Sequence, residues 1–248
     1  MTPFENRQLL LTLIATAVAC LIGSDPMSFA QSAASASKTE LAQMIDSLAN
    51  RNRAPKVVEH RGIKVPLFAD DYDWEEQTRA RRALVALTNN ESVELWEELL
   101  KHRDDARYSL TMMTNGASTE NYSVGELCGD IAYHRLIVAF KKHVATTQLG
   151  RPVYLETGIK NLSEWRKKSA TKALWQLQVE VCERAVEQVP RVSGVSDEAK
   201  GKMRERIASQ IVELKRTKQA VFGKLPLDSL DTFTGEDAKR FREQVKSQ

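Results

Sequence analysis

Apolar residues recur at the three-to-four-residue spacing of a helix face through most of the chain. Leu41, Met44, Ile45 and Leu48 mark a first short helix. Residues 51–73 break that rhythm with Pro55, Gly62 and Pro66 around the pairs Val57-Val58 and Leu67-Phe68, which suits an extended segment laid over a helical body. No second apolar run of comparable strength follows, so no sheet is predicted. From Asp73 the helical period returns. Trp74, Leu84, Val85 and Leu87 form one stripe, with Asp70, Asp71 and Asp73 where carboxylates favour a helix N-terminus. Val93, Trp96, Leu99 and Leu100 form a second stripe after only Thr88-Asn89-Asn90. Helices joined that tightly predict an antiparallel, HEAT-like hairpin, present in one copy and therefore not a solenoid.

Ser123-Val124-Gly125-Glu126 has the spacing of a capping box and opens a helix to about Val144, with Val124, Leu127, Cys128, Ile131 and Val138 on its apolar face. Two long helices over about 163–189 and 197–222 follow, broken by Pro190 and Gly194, and their stripes predict a C-terminal antiparallel hairpin. Thr234 with Glu236 and Asp237 caps a last short helix. The fold expected is mostly α: helical hairpins with an extended N-terminal segment. The organisation expected is a signal peptide over 1–30, a linker over 31–40, a helical domain over 41–150 and a hairpin with its tail over 151–248, the last two free to share one core.

The N-terminus differs from the rest. Arg7 precedes an apolar run from Leu9 to Ile22, short of the roughly 20 residues that span a bilayer, and Gly23, Asp25 and Pro26 end it. Ser28-Phe29-Ala30 places small residues where a signal peptidase reads, so cleavage is expected after Ala30, with Ala34-Ser35-Ala36 as a second cut. Retention as an anchor and acylation at Cys20 are the alternatives. In an oxidising compartment Cys128 and Cys182 either pair, closing a loop of about 54 residues for about 4 kcal/mol, or act as small apolar residues on their helices.

Composition is that of a globular protein, 42% hydrophobic and 28% charged. Lys plus Arg number 36 against 33 Asp plus Glu, a formal charge of +3, and cleavage after Ala30 removes one basic and two acidic residues to leave +4. That balance over the whole chain gives no sign of a nucleic-acid partner. The basic stretch Arg166-Lys167-Lys168 shares its helix with Glu164, Glu180 and Glu183 and reads as a solvated face.

Gly-rich phosphate loops, His-Glu-x-x-His, Cys-x-x-Cys and Gly-x-Ser-x-Gly are all missing from the sequence, and neither metal nor cofactor is expected. One polar constellation stands out in the stretch 102–122: Asp104, Asp105, Arg107, Tyr108 and Asn115, with His134 on the helix that follows. Each member has a plain structural role available. Asp104 and Asp105 suit a turn, Arg107 suits a pair with a neighbouring Asp, and His134 suits a hydrogen-bonded buried imidazole on the apolar face. His134 and His143, nine residues apart, fall half a turn out of phase and cannot share one ion.

Tyr72-Asp73-Trp74-Glu75-Glu76-Gln77, Leu95-Trp96-Glu97-Glu98-Leu99, Asp104-Asp105-Ala106-Arg107-Tyr108 and Asn121-Tyr122-Ser123-Val124-Gly125-Glu126-Leu127-Cys128 resemble stretches of exported helical proteins of planctomycete-type bacteria, over about residues 65–140. That group has no assigned activity, so the resemblance implies a periplasmic or envelope setting and no reaction. The expectation is a non-catalytic envelope protein working through protein-protein contacts. Its expected partner is another envelope protein, with membrane contact only through an uncleaved signal. The alternative is an enzyme or small-ligand binder using residues 102–122.

Overall fold

The computed structural model describes residues 37–60, 62–114, 118–147, 153, 155, 157, 159, 164, 165, 167, 169, 171–223 and 233–246. Signal cleavage at Ala30 and the candidate Asn115 lie outside them. The described elements are α1 (Lys38–Asp46), β1 (Lys56–His60), β2 (Ile63–Leu67), α2 (Trp74–Asn89), α3 (Val93–Lys101), β3 (Tyr108–Thr114), β4 (Ser118–Ser123), α4 (Val124–Lys141), α5 (Leu174–Gln188), a 3-10 turn (Val189–Arg191), α6 (Asp197–Thr217) and α7 (Gly235–Lys246). The protein is mostly helical.

Helix starts follow the polar signals. Ser37 and Glu40 exchange bonds as a capping box, Asp73 accepts the amides of Glu75 and Glu76, and Ser92 and Ser196 cap α3 and α6. Helix α6 ends with Lys218 in the left-handed region at φ 55°, its amide held by the Leu214 carbonyl.

Two small antiparallel sheets correct the expectation of none. β1 pairs with β2 from Lys56↔Leu67 to His60↔Ile63, and Gly62, at φ 78°, sits in the turn that joins them. β3 pairs with β4 across the stretch expected to be a loop, with an irregularity in register between Tyr108 and Leu110. The physical reason is burial on both faces. Ser109, Leu110, Thr111 and Met112 are consecutive and all buried, so β3 lacks the alternation of a half-exposed strand. Its polar members are satisfied internally, Ser109 Oγ donating to the Leu48 carbonyl at 2.6 Å.

The chain forms two compact units, residues 1–128 with 224–248, and residues 129–223. The boundary between them falls inside α4, and the C-terminal tail belongs with the N-terminal residues. In the first unit α1 packs against both α2 and α3, β2 lies beside β4, and α7 packs on β2. Val65, Phe68, Tyr72, Phe233, Ala238 and Phe241 form one buried cluster, with Phe68 at 4.8 Å from Tyr72 and 5.8 Å from Phe233 between ring centres.

In the second unit α5 and α6 pack along each other. Gln178 on α5 is fully buried, its amide donating to the carbonyls of Arg135 at 2.7 Å and Val221 at 2.8 Å while its oxygen accepts the Val221 amide at 2.9 Å. Three bonds from one side chain clip α4, α5 and residues 221–223 together. Val153, Leu155, Thr157 and Ile159 are buried and belong to the second unit. Cys128 and Cys182 are free thiols rather than a disulfide. Each is buried on its helix's inner stripe, in a different unit, and burial pushes both thiols up to about 12.

One glycine sets the geometry from which the rest of the first unit is built. A Cβ on Gly125 would lie 2.2 Å from the Arg103 carbonyl oxygen and 2.8 Å from the Asp105 nitrogen, both backbone atoms that cannot swing aside. Gly129, one turn on in α4, has nothing within 4 Å of the same position. Gly125→Ala is expected to cost about 3 kcal/mol or more in urea unfolding, and Gly129→Ala to gain up to about 1 kcal/mol from helix propensity. Equal effects would refute the close contact.

Candidate functional site

Residues 102–108 are a cap for α4. The first amides of a helix lack partners within it, and here loop carbonyls supply them: Val124 donates to Arg107 at 2.8 Å and Gly125 to Asp105 at 2.9 Å. The Ser123–Glu126 box adds its reciprocal pair, Glu126 N to Ser123 Oγ at 3.2 Å and Ser123 N to Glu126 Oε2 at 2.9 Å. Gly125, having no Cβ, admits this close approach.

Asp105 closes this turn with its side chain. It accepts the Arg107 amide at 3.0 Å and the Arg107 guanidinium at 3.0 and 2.7 Å, and Arg107 reaches on to Asp46 at 2.6 Å. The Arg107 guanidinium holds the Asp105 carboxyl below the usual carboxylate range, so it stays ionised and accepts bonds rather than shuttling protons. Arg107 is about half exposed, which limits the strut to tenths of a kcal/mol. Asp104 is exposed and makes no hydrogen bond among the described residues. The turn role expected of both aspartates falls to Asp105 alone. His102, at the end of α3, stands 3.6 Å from Glu98.

Tyr108 enters a different network. Its hydroxyl lies 2.8 Å from that of Tyr72 and 2.7 Å from Thr111 Oγ1. Tyr72 donates to Gln77 Oε1 at 2.6 Å, and Thr111 donates to Asn121 Oδ1 at 2.7 Å. Both amides are fixed in orientation, since Gln77 Nε2 donates to the Phe233 carbonyl and Asn121 Nδ2 to the Pro55 carbonyl. Both therefore turn oxygens toward the hydroxyls. Four O···O contacts then share three hydroxyl protons, so one contact holds none. Burial, then the Tyr108 hydroxyl beside it, pushes the Tyr72 phenol far up, against a smaller opposing pull from Asn50 and Asn52. Burial pushes the Tyr108 phenol up too. Neither is an activated base or nucleophile at neutral pH.

His134 belongs to the second unit, whereas Asp104, Asp105, Arg107 and Tyr108 belong to the first. It is 7% exposed and, among the described residues, makes no hydrogen bond, which corrects the expected bonded imidazole. Burial, then the cations of Lys141 and Arg135, pushes its pKa down to about 3, so it is neutral at physiological pH. Its ring lies close to Gly223, where an added Cβ would stand 4.0 Å from His134 Cε1. Burial likewise pushes Lys141 down to about 8.

An open groove of about 630 Å³ in the first unit was not foreseen from the sequence. Trp74 forms a wall, and Asp70, Glu236, Lys239 and Arg242 supply charges. Arg242 pairs with Asp70 and donates to the Phe68 carbonyl at 2.9 Å and the Ala69 carbonyl at 3.1 Å. No local pattern announces this groove, because its walls lie some 170 residues apart in sequence. None of the sequence candidates lines it. Among the described residues there is no cluster of three or more His, Cys, Asp or Glu arranged to hold a metal, and no helix long and apolar enough to cross a membrane. Comparison of the chain with family models, curated proteins and solved structures gives no match.

The proton count predicts an asymmetry. Tyr72→Phe strands the buried Gln77 oxygen and is expected to cost about 1–3 kcal/mol. Tyr108→Phe removes the over-subscribed hydroxyl, leaves each remaining acceptor its donor, and should cost under about 0.5 kcal/mol. Denaturant melts of both variants decide it, and a larger loss for Tyr108→Phe would contradict the count.

His134 predicts a pH limb. Its folded pKa lies below the unfolded value near 6.5, so the unfolded chain takes up a proton that the folded chain refuses, and stability falls as pH drops from 6.5 toward 3. Between pH 7 and 5 the loss from this residue is about 2 kcal/mol. His134→Leu should remove that share of the slope while leaving the part due to His143. Parallel pH-stability curves for the two proteins would rule it out.

Proposed function

We propose that this chain is an exported, non-catalytic, mostly helical protein of the bacterial envelope that acts by protein-protein interaction through its helical-hairpin surfaces. The observation that carries this reading is the use to which the polar stretch is put. Asp105 and Arg107 hold the turn that caps α4, and Tyr108 sits in a hydroxyl chain whose phenols stay protonated. Groups committed to capping and buried bonding hold neither a substrate nor a labile proton.

The charged outer faces of α5 and α6 suit a solvated contact surface. Large exposed apolar side chains among the described residues are Ile63, Val93 and Val212, on three separate elements. That dispersion supports a polar, reversible interface rather than an obligate apolar one. The apolar N-terminal run and the small residues before Ala30 support export, and the resemblance to exported planctomycete-type proteins supports the same setting.

The test joins address and contact. Intact-mass measurement of the protein from fractionated cells should give a chain beginning at Gln31 in the periplasmic fraction. A photo-crosslinking residue placed at Val212, and separately at Ala208 and Arg204 one and two turns before it on α6, should capture one discrete envelope protein, with no such product from Ile63. An unprocessed cytoplasmic chain refutes export, and absence of a common product refutes the interaction.

A further inference from the structure

The near-even charge of the whole chain conceals a division. Residues 129–223 hold 18 Lys and Arg against 10 Asp and Glu, a formal +8, while the rest of the chain holds 18 against 23, a formal −5. The groove beside Trp74 lies wholly in the acidic unit, yet its lining is balanced, with Asp70 and Glu236 against Lys239 and Arg242. A site for a plain anion or a plain cation would gather one sign of charge. This groove offers both.

Its shape comes from one large ring among small neighbours. Trp74 is braced, its ring centre 4.9 Å from that of Phe68 and 4.9 Å from that of Tyr72. The lining near it is small, with Ala69, Gly235 and Ala238. A Cβ on Gly235 would stand 3.4 Å from Trp74 Nε1, so a longer side chain at that position would crowd the indole edge. At about 630 Å³ the groove is of the size that small ligands occupy.

The polar groups divide into committed and free. Arg242 is committed, to Asp70 and to the carbonyls of Phe68 and Ala69, and ties α7 to the end of β2. Glu236 and Lys239 are exposed and, among the described residues, make neither an ion pair nor a hydrogen bond. They stand three residues apart on α7, the spacing at which Asp237 and Arg240 beside them close at 2.9 Å. The Trp74 indole N–H likewise has no acceptor among the described residues. A free carboxylate, a free ammonium and a free N–H donor thus line one groove with an aromatic wall.

We infer that this groove binds a short peptide with free termini and an aromatic side chain. The ring packs against Trp74, the peptide's carboxylate meets Lys239, its ammonium meets Glu236, and a backbone carbonyl accepts the indole N–H. A single amino acid supplies the ring and both charges, but its one carboxylate is taken by Lys239 and it has no peptide carbonyl left for the indole. The inference is independent of the interaction reading, which concerns α5 and α6, and holds whether or not that reading survives.

Titration calorimetry of the full chain with the tripeptide Ala-Phe-Ala tests it. Saturable one-to-one binding with a Kd below about 1 mM is expected, and Ala-Ala-Ala should bind about tenfold more weakly or worse. The two charges are then tested against the two termini. Lys239→Gln should weaken Ala-Phe-Ala about threefold and leave binding of its C-terminal amide unchanged, while Glu236→Gln should do the same for the free and the N-acetylated peptide. Arg240→Gln and Glu243→Gln, on α7 but outside the groove, should change none of these affinities. Gly235→Leu should remove the preference for Ala-Phe-Ala over Ala-Ala-Ala. Melting is followed for every variant, and those at Glu236 and Lys239 should melt with the parent, since neither side chain holds a bond in the fold. Absence of saturable binding up to about 10 mM, or equal weakening of the free and the capped peptides by each variant, overturns the site.

Discussion

The first unit depends on a backbone-to-backbone contact that excludes a single carbon atom. Because Gly125 has no Cβ, the opening turn of α4 settles onto the carbonyl of Arg103, and the carbonyls of Asp105 and Arg107 meet amides that a helix cannot satisfy for itself. That contact fixes where α4 begins, and so where β4 must end. It also fixes the start of β3, whose first residue, Tyr108, accepts the Asn50 amide at 2.8 Å from the turn after α1. The ion pairs of Arg107 are a consequence of this arrangement and add little to it.

The same turn gathers residue types that a catalytic constellation would also use. Two carboxylates, a guanidinium, a phenol and an imidazole within about thirty residues invite the thought of a reaction. Resolved in space, they divide among a helix cap, a hydroxyl chain and an interior packing role. What separates the two readings is commitment: Asp105 and Arg107 spend their bonds on each other and on Asp46, and the phenols of Tyr72 and Tyr108 are held protonated by burial.

Much of the helical content could be read in advance where a polar cap met a periodic apolar stripe. Asp73 before Trp74 and Ser123 with Glu126 mark the starts that the structure shows. The strands were illegible for a definite reason. β3 is buried on both sides by elements distant in sequence, and its Thr111 and Ser109 are polar residues whose partners, Asn121 and the Leu48 carbonyl, cannot be inferred from neighbours. His134 was legible as a buried residue from its place on the stripe of α4, but that it makes no hydrogen bond among the described residues was not. Nor was the groove beside Trp74, since its two walls come from opposite ends of the described chain. The net charge of the whole sequence does not show that the acidic and basic surpluses belong to different units.

The return of the C-terminal tail to the first unit has a bearing on when that unit can fold. Phe233, Ala238 and Phe241 complete the cluster of Val65, Phe68 and Tyr72, and Gln77 takes its carbonyl partner from Phe233, 156 residues later. A ribosome must therefore finish nearly the whole chain before this core can close. The interrupting residues 129–223 have no such debt to the tail in their own interior and can consolidate first. Until the last helix emerges, the N-terminal half lacks the aromatic rings that complete its own core.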